Sequence, residues 1–285
     1  MKRELRAALE KALGASVDGA DHVGGGDINQ AFALRLADGR RVFMKTNADC
    51  DPAMFGAEAR GLAWLAQAST LRVPLALAAS ERPAFLVLEW IEPGRPRAGF
   101  DEELGRGLAA LHRHGAPAFG LDHDNFIGRL PQSNTPAPTW ADFYRAERLE
   151  AQLRLAADAR QIDRALALKF DRLFARLSDL VGPPEPPARL HGDLWGGNLH
   201  VDENGAPCLI DPAVYGGHRE VDLAMMRLFG GFTERVFAAY DEAFPLAPGH
   251  AERVALYQLY PLLVHTNLFG GGYAASVDRA VSRYI

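Results

Sequence analysis

Residues 190–212 leave a chain few ways to fold. They read Leu190-His191-Gly192-Asp193-Leu194-Trp195-Gly196-Gly197-Asn198-Leu199-His200 and, a little further on, Cys208-Leu209-Ile210-Asp211-Pro212. Between the two lies Asn204-Gly205, a dipeptide suited to a tight turn, flanked by short β-type runs at 199–201 and 207–210. Closing that hairpin carries Asn198 back beside Asp211, so oxygens from a Gly-rich loop and from a strand end converge on one spot.

An Asp in an H-x-D loop, an Asn five residues on and a second Asp beyond the next strand form the oxygen-bearing set of kinase-type phosphoryl transfer. In that chemistry the first Asp accepts the proton of the acceptor hydroxyl, while the Asn and the second Asp hold Mg²⁺ against the phosphates. Here Asp193 is the candidate catalytic base, and Asn198 and Asp211 are the candidate metal ligands. Mg²⁺ takes a few hard oxygens and keeps its waters, which suits one Asn and one Asp. Any one of these residues alone would read as turn chemistry. The joint spacing of His191, Asp193, Asn198 and Asp211 is what points to catalysis.

Upstream, residues 17–46 hold short β-leaning runs separated by Gly24-Gly25-Gly26-Asp27 and Asp38-Gly39, and the latter predicts a hairpin between 31–36 and 41–45. Lysine occurs only at positions 2, 11, 45 and 169, and Lys45 closes a β-type run as a phosphate-binding lysine does. Gly24, Gly25 and Gly26 would let backbone amides approach phosphates. Asp51-Pro52 opens a helix that carries Glu58, the expected ion-pair partner of Lys45. The apolar run 84–91 reads as a buried strand, and Glu89 within it is grouped with the nucleotide-binding residues. Glu92-Pro93-Gly94-Arg95-Pro96 then marks a boundary. Residues 1–92 are expected to form an ATP-binding lobe with an antiparallel sheet and one helix. Residues 93–285 would form a larger, mainly helical catalytic and substrate-binding lobe, giving an α+β, bilobal, protein-kinase-like fold.

Within 162–181, apolar residues recur at the three-and-four spacing of one amphipathic helix. Charges scattered through the first fifteen residues argue for another such helix and against a signal peptide. No apolar segment is long enough to cross a bilayer, and a net charge of −5 supplies no basic field for nucleic acid. A cytoplasmic monomer acting on a small molecule is expected. Cys50 and Cys208 stand apart, outside any CxxC spacing, and read as free thiols. Walker A, G-x-G-x-x-G, G-x-S-x-G and H-E-x-x-H patterns are absent.

The blocks His191–Asn198, then Asp211-Pro212-Ala213-Val214-Tyr215, then Gly217-His218-Arg219-Glu220-Val221-Asp222-Leu223-Ala224-Met225 closely resemble the fructosamine kinase (ketosamine 3-kinase) family. So do Arg227-Leu228-Phe229-Gly230-Gly231-Phe232 and Asn267-Leu268-Phe269-Gly270-Gly271-Gly272-Tyr273. The resemblance implies ATP-dependent, Mg²⁺-assisted phosphorylation of the sugar 3-hydroxyl of ketosamines, after which the adduct decomposes and frees the amine. Bacterial-type members are associated with ribulosamines and erythrulosamines more than with fructosamines. By the same resemblance Trp195 lies at the substrate site, His265 and Asn267 are acceptor-site candidates, and Asp222 braces the catalytic loop, with His218, Arg219 and Glu220 expected to do likewise. Gly196 stands where a Ser is usual and Gly216 where an aromatic is, which puts the acceptor pocket's shape in question. The cysteine that supports redox-controlled dimers in some eukaryotic members is missing from the Gly-rich loop, so that regulation is not expected.

Two other readings stay open. One is a kinase for a different small hydroxyl compound, such as an aminoglycoside, choline or homoserine. The other is a nucleotide-binding scaffold without catalysis.

Overall fold

The computed structural model describes residues 1–24 and 28–285; Gly25 and Gly26, two of the expected phosphate-approaching glycines, lie outside the described residues, as does Asp27. Helix α1 (Arg3–Leu13) buries Leu9 and Leu13 and stops at Gly14, whose φ of 68° only glycine adopts freely. After it come strands β1 (Val17–Val23), β2 (Gln30–Leu36) and β3 (Arg41–Thr46), helix α2 (Met54–Ala66), and strands β4 (Ala76–Glu81) and β5 (Ala84–Glu89). The strands pair antiparallel in the order β1-β2-β3-β5-β4. The Asp38-Gly39 turn closes the β2–β3 hairpin, with Gly39 at φ 86° and the Arg40 N–H donating to Asp38 Oδ1 at 3.0 Å. Asp51 starts α2 by accepting the Ala53 N–H at 2.9 Å. Phe55 and Leu62 of α2 are buried against Leu86 and Leu88 of β5. This part of the chain carries two helices, α1 and α2, where the lobe description above counted one.

The chain then runs across to a mainly helical part. On the way Gly94 donates its N–H to Val201 O at 2.9 Å and leaves no room for a side chain, since a Cβ there would sit 2.0 Å from Asp202 O. Helix α3 (Phe100–His114) is followed by the hairpin β6 (Asn125–Ile127) and β7 (Leu130–Gln132), then by an unbroken helical run of α4 (Trp140–Phe143), a π-helical turn (Tyr144–Glu150) and α5 (Ala151–Asp158). Helices α6 (Arg164–Phe174) and α7 (Leu177–Leu180) come next. The single helix expected over 162–181 is thus two. Its apolar spacing continues through the break, but the Arg176 N–H bonds back only three residues to Leu173 O and its guanidinium is drawn to Tyr284 O.

Four short strands separate these helices from the last ones: β8 (Ala188–Leu190), β9 (Leu199–Val201), β10 (Pro207–Leu209) and β11 (Tyr215–Gly217). β9 pairs with β10 through the Asn204-Gly205 turn, and β8 pairs with β11. Helices α8 (Glu220–Phe229), α9 (Glu234–Ala243), α10 (His250–Tyr257), α11 (Leu259–Phe269) and α12 (Tyr273–Val281) complete the chain. The architecture is α+β and bilobal in the protein-kinase-like manner. Among the described residues no helix is long and apolar enough to cross a membrane. Cys50 and Cys208 are free, and burial pushes the Cys208 thiol up to about 12.

Gly216 lies in β11 and does not line the cleft that holds Asp193 and Asp211. A Cβ there would stand 2.0 Å from Ala118 O, and the Gly216 and Gly120 backbones exchange hydrogen bonds at 2.8 and 2.9 Å. The missing aromatic therefore reshapes the packing under β11 and not the acceptor pocket. Gly216→Ala should lower stability by ~1–3 kcal/mol, the usual cost of overpacking, read as a fall in Tm. An unchanged Tm would show that the 116–120 segment yields freely.

Candidate active site

The loop after β8 is built on Asp222 of α8. This fully buried carboxylate accepts the His191 N–H at 2.8 Å and the Gly192 N–H at 2.9 Å, and lies 3.1 Å from His112 Nε2. Burial alone would raise its pKa, but these donors prevail and hold it below the usual carboxylate range. Gly192, at φ 83°, lies so close to the segment after Asp211 that a Cβ would come within 2.0 Å of Ala213 O. The buried His191 ring is kept neutral by desolvation. Its Nδ1 accepts the Asp193 N–H at 3.3 Å, which leaves Nε2–H to donate to Ile210 O at 2.9 Å.

His218, Arg219 and Glu220 do not join this bracing, contrary to expectation. Glu220 pairs with Arg253 at 2.6 and 2.8 Å, Arg219 pairs with Glu185 at 2.8 Å, and His218 stacks on Tyr257. They knit the helices below the loop.

Asn198 is the joint of the loop. Its Nδ2 donates to Asp193 O at 2.7 Å and Asp193 Oδ2 at 3.1 Å, with Asp211 O at 3.4 Å, which leaves Oδ1 as the atom to offer a cation. Asp211 sits in the left-handed region at φ 55°, uncommon for a residue other than glycine. Its carboxylate meets the Lys45 Nζ, which also bonds Glu58 Oε1 at 2.8 Å. Burial would strip the Lys45 proton, but the Asp211 and Glu58 carboxylates outweigh it and raise its pKa, so the ammonium persists. Asp193 is pushed up to about 8, first by burial and then by the Asp211 and Asp222 charges, against the Asn198 hydrogen bond.

These groups line a cleft of about 860 Å³. Gly24, Ala31, Phe43, Leu88 and Ile210 line it as well. Glu89 also faces it, yet its carboxylate is committed to the Leu75 N–H at 3.0 Å and lies 3.4 Å from Arg72, and its own N–H donates to Leu75 O at 2.9 Å, so its carbonyl is the group left to offer a ligand. An aromatic wall closes another side. Phe229 and His265 pack at 4.4 Å between centroids, His265 and Tyr273 at 5.1 Å, and Phe229 meets Trp195 edge-on. Trp195 is 40% exposed and folds over Gly197, where a Cβ would touch the indole at 2.3 Å. Gly196 packs its backbone on Gly231, so the usual Ser gives way to a backbone contact.

His265 lines this wall, with Nδ1 bonded to Pro261 O at 2.8 Å and its pKa lowered by burial. Asn267 does not. Two residues further along α11, it points about 200° away around the helix and donates instead to Gln152 Oε1 at 2.8 Å and Gln152 O at 3.0 Å. Asn125, Phe229 and Tyr273 also line the cleft, although none was singled out beforehand as a site residue. Neither periodicity nor spacing marks them, because only the fold brings β6, α8 and α12 to one rim.

The donor set suits a nucleotide with Mg²⁺. Asp211 and Asn198 supply two hard oxygens, Mg²⁺ takes its remaining ligands from phosphates and water, and among the described residues no group of three or more His, Cys, Asp or Glu side chains forms a metal cage.

Replacing Asp222 by Asn should cost ~3–5 kcal/mol at pH 7, the range for breaking a buried charged network. The depressed Asp222 carboxyl contributes stability above the ordinary Asp value of about 4, and that contribution is lost as pH falls through the lower folded value. The gap in Tm between wild type and Asp222→Asn should therefore narrow on acidification, and a gap that stays constant to pH 3 would remove the carboxylate from the account.

Known proteins resemble this chain along most of its length. The chain is 40% identical over 269 residues to the chloroplastic protein-ribulosamine 3-kinase of Arabidopsis thaliana, covering 92% of this chain and 81% of the relative. It is 33% identical to the mouse ketosamine-3-kinase, covering 97% and 96% of the two chains. A crystal structure of a fructosamine-3-kinase candidate from Thermobifida fusca superposes with a TM-score of 0.91 at 37% identity, covering 100% of this chain and 99% of the other. A macrolide 2'-phosphotransferase shares the fold alone, with a TM-score of 0.61 at 17% identity over 97% and 94% of the chains. The fructosamine kinase model matches residues 1–285, and the chain belongs to the fructosamine kinase family.

Proposed function

We propose that this protein transfers the terminal phosphoryl group of ATP to the sugar 3-hydroxyl of a ketosamine, with ribulosamine-type adducts as the favoured class. The observation that carries the reading is the convergence of Lys45, Glu58, Asp193, Asn198 and Asp211 on one cleft that an aromatic wall also lines. The names of the relatives support the acceptor: ribulosamine for the plant protein and ketosamine for the mouse one.

Each residue has a task in this reading. Lys45, oriented by Glu58, pairs with the phosphates, and the backbones at Gly24 and Glu89 with Phe43, Leu88 and Ile210 receive the rest of the nucleotide. Asp211 and Asn198 hold Mg²⁺, which neutralises charge on the phosphates when bound. Asp193 accepts the proton of the acceptor hydroxyl, and Asn198 keeps its carboxylate aimed by bonding both Oδ2 and the main chain. Trp195 and the neutral His265 offer flat faces to the sugar and its amine. Among the described residues the wall contains no carboxylate, whereas an aminoglycoside carries several positive charges that favour acidic pockets. Retention of base, metal ligands and lysine together weighs against a scaffold that only binds nucleotide.

Coupled ADP release should be fastest with ribulosamine and erythrulosamine adducts, slower with fructosamines, and at background with aminoglycosides, choline and homoserine. Turnover on the last group alone would overturn the substrate assignment. Asp193→Asn should lower kcat by ~100-fold or more, the scale of a general base, with a small change in the KM for ATP. The rate should fall on the acid side of the profile with a limb at or below pH 8, since only the ionised carboxylate accepts a proton, burial first of all pushes Asp193 up to about 8, and a bound cation would favour the ionised form. A limb that persists in Asp193→Asn would assign it to another group.

A further inference from the structure

In the Asp211-Pro212-Ala213-Val214-Tyr215 block only the first residue bears a charge. We infer that Arg148, through a chain of buried amides, sets the position of Asp211 relative to Asp193. It is a positioning residue for the transfer proposed above, and the inference rests on that reading of Asp193 and Asp211.

Arg148 lies in the π-helical turn, a local widening often found at functional sites. Its side chain is fully buried, and none of its hydrogen-bond partners among the described residues is a carboxylate. The guanidinium donates to Ser133 O and Asn134 Oδ1, each at 2.7 Å, and lies 3.8 Å over the Tyr215 ring. A buried cation without a counter-ion is costly, and aromatic faces and carbonyl oxygens offset only part of that cost. A neutral side chain would fill the space more cheaply, so the charge is kept for what it orients.

Arginine can only donate. Asn134 must therefore present its oxygen to Arg148 and pass its Nδ2 onward, to Asn125 Oδ1 at 3.0 Å. Gln132 Nε2 donates to the same Asn125 Oδ1 at 2.8 Å and to Ala213 O at 3.1 Å, while Asn125 Nδ2 donates to Val214 O at 2.7 Å. Tyr260 Oη donates to Gln132 Oε1 and fixes that amide too. Asn125, Gln132 and Asn134 are all buried, so each reversal of an amide would leave polar groups unpaired. The chain ends on two successive carbonyls just after Asp211. The catalytic loop holds the same segment: the Ala213 N–H donates to His191 O at 2.9 Å, and Gly192 lies against Ala213 O. Asp211 is thus registered against Asp193 by a backbone segment gripped by both.

The test uses the full chain with Gln132→Leu and Arg148→Met. Five quantities are read: the Mg²⁺ concentration at half-maximal rate, the Mg²⁺ dependence of binding to a non-hydrolysable ATP analogue, kcat, the KM for ketosamine, and Tm. A displaced metal carboxylate should raise the Mg²⁺ requirement ~10-fold in both assays and lower kcat ~30-fold, in keeping with the cost of misplacing a reacting group by an ångström or less. The KM for ketosamine should move by less than about twofold, since no acceptor contact is lost. Folded variants with wild-type Mg²⁺ dependence, whose rate falls only with the folded fraction or not at all, would overturn the inference and leave these residues a purely structural role. If Arg148→Met fails to fold, Gln132→Leu decides, because it removes two donors without unpairing a charge. Should the wild type show no ketosamine turnover, the proposed function fails while the analogue-binding assay still tests this inference.

Discussion

Two carboxylates that repel each other, Asp193 and Asp211, have to be held side by side in a half-buried cleft, and much of the molecule follows from that requirement. The Asp211 charge contributes to pushing Asp193 up to about 8. The Lys45 ammonium answers Asp211 from the sheet, and the Asn198 amide answers Asp193 from the loop. Lys45 sits in β3, Glu58 in α2 and Asp211 beyond the β9–β10 hairpin, so the ion pairs span the two lobes. Removing Lys45 would leave the largely buried Glu58 carboxylate without its partner.

Holding the acids in place takes a second tier of groups that touch neither phosphate nor sugar. Asp222 anchors the loop from α8, with His191 neutral between it and Ile210. Arg72 ties the sheet side to the β9–β10 hairpin through Asp202 and Glu203, while its own carbonyl accepts the Leu209 N–H at 2.9 Å. Glycine is required where main chains approach most closely, at Gly192 over Ala213 and at Gly94 over Asp202. A side chain at Gly192 would push the loop that carries Asp193 off the segment after Asp211, and one at Gly94 would push the connector off the β9–β10 hairpin.

The trio and the hairpin that joins it were readable because phosphoryl transfer demands particular residue types at short, regular spacing. Lys45 and Glu58 were readable for a related reason, since a strand-end lysine and a carboxylate on the next helix leave a local pattern. What escaped was set by the fold. His265 and Asn267 look equivalent in the chain, yet helical geometry turns one to the cleft and the other to Gln152. The His218-Arg219-Glu220 block looked like support for the loop, but its charges find Glu185, in the connector before β8, and Arg253 of α10. Arg148, Gln132 and Asn125 carry no motif at all, because amides that meet only after β6, β7 and the π-helical turn assemble share no spacing. The break in the helix at 175–176 is invisible for a similar reason: the apolar period continues while a distant carbonyl claims Arg176.

The aromatic wall is where the chemistry of the family meets this particular chain. Phe229, His265 and Tyr273 form it with Trp195, and burial keeps the histidine neutral, so the wall presents faces and no opposing charge. Such a surface offers the apolar face of a sugar a stacking partner and a substituted amine a cation–π contact. The most direct measurement is the site of the new phosphate. After brief turnover with ATP, Mg²⁺ and a ribulosamine, phosphorus–proton correlation NMR should place the phosphate on the third carbon of the sugar. Phosphate on any other carbon, or ADP formed at the same rate without the ketosamine, would contradict the account.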